Sequence, residues 1–145
     1  MKRSTRLKPV AMQATQSENN AARQLGDDSR TLEDQKKRLQ ELLSYREQYL
    51  SDYQQAGNRG LNAIQLREYQ LFIARLDGVI EQQKKQVELG LQQHEKSQHT
   101  WLEARGRAGA IDKVIDGHRH RERDEAMRRE QREIDDRPHR ATGTG

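Results

Sequence analysis

The chain has no cysteine, one tryptophan, one phenylalanine and two prolines in 145 residues. Without cysteine there is no disulfide, no thiolate nucleophile and no thiolate ligand for a metal, and a reducing compartment is the natural setting. Aromatic residues make up 4% and hydrophobic residues 31%, well under the 45–50% or so typical of a globular domain. So little apolar side chain cannot enclose a compact core. No apolar run approaches the ~18 residues of a membrane span, and the first residues lack the apolar stretch of a signal peptide, so the cytoplasm is the expected location. There is no Gly-rich phosphate loop and no pair of catalytic carboxylates. His118 and His120 diverge on a helix, as do His94 and Glu95, so no metal site is expected; neither cofactor nor enzymatic activity is expected.

What remains is charge and helix formers. Charged residues make up 34%, and the net charge is +4. The excess sits at the start: residues 1–25 carry five Lys or Arg against Glu18 alone, whereas 101–145 balances eleven basic groups with ten acidic ones. A basic leader suits anionic lipid or nucleic acid, and a solvated tail is the simpler reading. Leu, Gln, Glu, Arg and Ala favour helix, and Pro9 and Pro138 bracket everything that reads as helical. Between them "AGNRGLN" at 56–62 supplies turn chemistry, and Asn62 followed by Gln65 resembles a capping box. The expected organisation is a basic disordered leader at 1–10, helix one at 11–56, a turn at 57–61 and helix two from 62. Helix two is paired to 113 and runs on over 114–145 as a mixed-charge single helix or disordered tail.

Helices that long need partners, and the heptads (abcdefg) supply them. Leu66, Ile73, Ile80, Val87, His94, Trp101, Ala108 and Ile115 stand seven apart at position a, with Tyr69, Leu76, Ala104 and Ile111 at d. Leu25, Leu32, Leu39 and Tyr53 hold a in helix one, with Ala21, Leu42, Tyr49 and Ala56 at d. The fold class is therefore all-α, an antiparallel two-helix coiled-coil hairpin whose second helix is longer. Folding at a turn centred on residue 59 makes residues whose numbers add to about 118 meet: Leu42 with Leu76, Tyr49 with Tyr69, Leu32 with Val87. Gln83, Gly90, Ser97 and Asp28 at d predict looser packing away from the turn. Beyond about residue 108 helix two should stand alone, supported by the i, i+4 pairs Arg121–Glu125 and Arg129–Glu133.

Tyr45 falls at g, beside the seam rather than in it, as do Phe72 and Val79, and in an antiparallel pair the two g flanks adjoin. These residues, edged by Leu42 and Leu76, either widen the seam or form a docking surface for another protein.

The segments "AARQLG" at 21–26, "YREQY" at 45–49, "YQLFIARLDGVIEQQ" at 69–83, and Trp101 followed by Arg105 and Arg107 resemble the flagellar export protein FliJ family, from about Ala21 to Lys113. The resemblance implies an antiparallel coiled coil similar to the rotor stalk of the rotary ATP synthase, within the type III flagellar export apparatus. It implies association with the hexameric export ATPase, the cytoplasmic domain of the export gate and export chaperones, and a membrane location only peripherally through those partners. The implied gate-binding positions are Leu42, Tyr45, Tyr49, Phe72, Leu76, Val79 and Gln83. Arg38 and Gln83 depart from the family's usual Gln and His. The ATPase contact is expected at the end formed by the two termini, with the basic leader and Arg105 and Arg107 as candidates. The rival readings are an unrelated coiled-coil scaffold or tether and a helical nucleic-acid-binding protein. The pI of about 9.5 suggests the latter, but the balanced C-terminal charge argues against it.

Overall fold

The computed structural model describes residues 1–137; Pro138 to Gly145, part of the expected tail, lie outside the described residues. Three helices follow one another, α1 (Arg3–Arg6), α2 (Lys8–Arg59) and α3 (Ala63–Asp136), with no strand among the described residues. The chain forms two compact units, Ala21–Trp101 and Met1–Asn20 with the residues from Leu102 on.

In the unit Ala21–Trp101 the turn is tighter than the sequence suggests. α2 continues through Gly57 and Asn58 to Arg59, and Gly60 ends it at φ 91, the left-handed conformation in which glycine has no Cβ to clash. Asn62 and Gln65 form the capping box: the Gln65 N–H donates to Asn62 Oδ1 at 2.8 Å, and the Asn62 N–H to Gln65 Oε1 at 3.2 Å. With α2 ending at 59 and α3 starting at 63, the turn centres on residue 61, not 59. Facing numbers add to 118 at Tyr49–Tyr69 and Gln35–Gln83, as the sequence suggests, and to 122 or 123 at other pairs. Leu32 accordingly packs on Gly90 rather than only opposite Val87, and Arg46 pairs with Asp77 at 2.5 Å.

The polar d positions do not loosen this seam. Gln83 is buried and donates to the Gln35 main-chain oxygen at 2.9 Å and to Gln35 Oε1 at 2.6 Å. Buried Ser97 donates its hydroxyl to Asp28, and Gln93 donates to the same carboxylate at 3.3 Å. Those bonds hold the Asp28 carboxyl below its ordinary value, the Ser97 hydroxyl most strongly. His94 is half-buried, with Nε2 3.5 Å from the Ser29 hydroxyl. No buried side-chain N or O among the described residues lacks a partner, so the seam carries polar layers without the cost of an unpaired group.

In the other unit the expected disorder of the leader gives way to helix. Backbone bonds run from Arg6 to Lys2, Leu7 to Arg3 and Ala11 to Leu7, all of i, i+4 type, so helical geometry continues on both sides of Pro9. Pro9 lacks an N–H, but one missing bond in a first turn notches a helix without ending it. The 3.5-residue alternation of buried positions extends through Ser4, Leu7, Ala11 and Ala14, facing Ala104, Ala108, Ile111, Ile115 and His118. Ser4 closes the stripe: its N–H and hydroxyl donate to the two Glu122 oxygens at 3.3 and 2.7 Å. α3 is therefore covered to Glu122, not only to about residue 108. Its uncovered part begins at Glu125, from which every described residue is exposed. Arg121, expected to pair with Glu125, instead lies with Nη2 3.3 Å from His118 Nδ1.

Candidate functional site: an aromatic flank beside the seam

Five of the six aromatic residues gather in the unit Ala21–Trp101, on α2 and α3 near the turn. Helical spacing of four puts Tyr45, Tyr49 and Tyr53 on neighbouring positions of α2, and Tyr69 and Phe72 come from the first turns of α3. Tyr49 is the centre, with ring centroids 4.2 Å from Phe72, 5.2 Å from Tyr69 and 6.4 Å from Tyr45. Tyr45 meets Phe72 edge-on at 6.1 Å, and Tyr53 meets Tyr69 at 5.2 Å. Such edge and tilted contacts contribute roughly 0.5–1.5 kcal/mol each beyond area burial. Loss of water around the Tyr49 hydroxyl, with Tyr69, Tyr45 and Glu68 nearby, pushes its pKa above the usual tyrosine value.

Burial divides the seven positions implied for gate binding. Tyr45 is 53% exposed and Val79 51%. Leu42, Tyr49 and Phe72 are half-buried. Leu76 and Gln83 are buried, at 6% and 7%, and face the seam. The g flank therefore presents an outer surface of two residues, a partly covered floor of three, and two supports.

A second feature was not read from the sequence. On the e flank, Leu50, Tyr53, Tyr69, Gln70, Ile73, Ala74 and Asp77 line a shallow depression of about 280 Å³. Leu43 and Leu50 stand seven apart at e, a spacing that marks this flank in the sequence. Arg105 and Arg107 belong to the other unit; both are exposed, and being two apart on α3 they point in different directions.

Among the described residues no group of three or more His, Asp or Glu is placed to hold a metal, and no helix is long and apolar enough to cross a membrane. A family model described as flagellar FliJ protein matches residues 1–142. The chain belongs to the FliJ family. The match takes in the first twenty residues and the charged end of α3, which the quoted segments leave out. FliJ membership makes this protein a component of flagellum biogenesis and flagellar protein export. Comparison with curated proteins and with solved structures finds no match.

Proposed function

We propose that this FliJ chain serves as a coiled-coil stalk of the flagellar export machinery, associating with the hexameric export ATPase and coupling it to the cytoplasmic domain of the export gate and to substrate chaperones. The observation that supports a gate contact is Tyr45, more than half exposed against the Tyr49 and Phe72 rings, with Val79, also more than half exposed, seven residues beyond Phe72 on the same flank. A hairpin that needed these side chains only to close its seam would bury them. Aromatic side chains with a rigid base lose little entropy when a partner covers them, and they anchor interfaces for that reason. Leu42, Tyr49 and Phe72 would form the floor of the contact. Leu76 and Gln83 would act from beneath by holding that floor in place. The ATPase would engage the exposed Arg105 and Arg107, whose charge suits an acidic-lined ring. On this reading the protein works without catalysis, in the cytoplasm at the inner membrane, held there by its partners.

A pull-down from flagellated cells tests the division of labour. Wild type should retain both the ATPase and the gate domain, and Tyr45→Ala with Phe72→Ala should lose the gate by tenfold or more while keeping the ATPase. Retention of both at wild-type levels would refute the flank as a gate contact. Loss of helix by circular dichroism would instead assign the rings to seam packing. Retention on DNA that falls with salt would favour the nucleic-acid reading.

A further inference from the structure

The seam of the unit Ala21–Trp101 is not held in the same way along its length. Toward the turn it is closed by apolar burial: Leu76 and Ile80 are buried, and five aromatic rings pack on one another. Farther out, burial thins. No residue between Ala21 and Leu32 on α2, or between Gln83 and Ser97 on α3, is buried, and Leu25 and Val87 are only half-buried. Hydrogen bonds span this gap, and they converge on one carboxylate. Asp28 accepts from the Gln24 amide of its own helix at 3.1 Å, from the Gln93 amide of α3 at 3.3 Å and from the buried Ser97 hydroxyl. Beside it His94 Nε2 lies 3.5 Å from the Ser29 hydroxyl, long for a hydrogen bond.

The two kinds of cohesion differ in what opening costs. Apolar side chains that separate lose their burial, whereas water replaces the hydrogen bonds that break, so each such bond gives only a small net stability. Both helices are also locally weak. Gly26 stands two residues before Asp28 and Gly90 lies against Leu32, and among residues other than proline glycine is the poorest helix former. Space does not demand a glycine at 26, where an added Cβ would find only the Arg30 side chain nearby, at 3.8 Å. We propose that residues 24–31 of α2 with 91–97 of α3 form a local opening site, latched by the Asp28 carboxylate, that parts and recloses while the turn-proximal half of the unit stays paired. The chain thereby has a place to yield without dismantling its aromatic flank.

Native-state hydrogen exchange of the full chain in low urea tests this. Amides of 26–31 and 92–97 should be about tenfold or more less protected than those of 46–52 and 74–80. Their exchange should also depend far less on urea, because a local opening exposes little surface. Asp28→Ala should speed exchange of 26–31 and 92–97 about tenfold. Ile80→Val, which trims a contact that the local opening leaves intact, should speed 74–80 roughly fivefold and leave 26–31 as in wild type. Equal protection and equal urea slopes in the two halves would overturn the proposal, since the seam would then open only as a whole. So would an Ile80→Val variant that speeds both halves alike, or an Asp28→Ala variant that exchanges at 26–31 as wild type does.

Discussion

Two glycines within α3 differ in what surrounds them, and that difference sets what each can become. A Cβ added at Gly78 would meet nothing within 4 Å, whereas one at Gly90 would sit 3.3 Å from Leu32 Cδ1. Helix propensity favours alanine over glycine by about 1 kcal/mol at either place. Gly78→Ala should therefore gain about 1 kcal/mol in urea denaturation. Gly90→Ala should gain distinctly less, because the Leu32 side chain must give by a few tenths of an ångström to admit the methyl. Equal gains would mean that Leu32 does not use Gly90 as its socket. The same contact explains a glycine at a seam position, where the sequence suggests only a weak point.

At the scale of elements, α1 and the start of α2 are held to α3 by small seam residues and by one carboxylate. The Ser4 hydroxyl and N–H, with Lys2 and His118 nearby, keep the Glu122 carboxyl below its ordinary value of 4.5. A depressed carboxyl pKa gives stability that is present above the unfolded value and is lost as pH falls through the folded one. Protection factors of the amides of residues 6–11 should hold from pH 7 down to about 5 and fall below the ordinary glutamate range near 4.3. Glu122→Gln should lower them at neutral pH and abolish most of that acid dependence, since an amide offers a single accepting oxygen to two Ser4 donors. An unchanged pH profile in the variant would assign the anchoring to Ala14, Ala108 and Ile115 instead, all at most 5% exposed.

The molecule as a whole exposes 11911 Å² of surface. A compact monomer of its 16.9 kDa would expose about 7,700 Å². Hydrophobic burial is confined to seams, and the mean hydropathy of –1.25 leaves nothing with which to build more. Because heat capacity follows the apolar area exposed on unfolding, the calorimetric ΔCp per residue should fall clearly below the ~12–15 cal/mol/K of globular domains. A value within that range would indicate apolar association between copies of the chain.

Composition and the seven-residue repeat by themselves determined the helical hairpin, its seam residues and the pairing of Tyr45 with Phe72. Those properties depend only on side-chain character and the 3.5-residue period, which are local and repetitive. The Asn62–Gln65 cap was equally legible, since both partners lie within one turn. The position of the bend was not, because moving it from residue 59 to 61 depends on how far α2 tolerates Gly57 before Gly60 adopts φ 91. Nor was the order of the first ten residues, which rests on Ser4 reaching Glu122 across 118 positions of chain. The split of the flank into exposed Tyr45 and Val79 and buried Leu76 and Gln83 likewise came only with three-dimensional packing. A heptad letter gives the side of a helix on which a residue stands, while the depth of its side chain is set by the helix opposite.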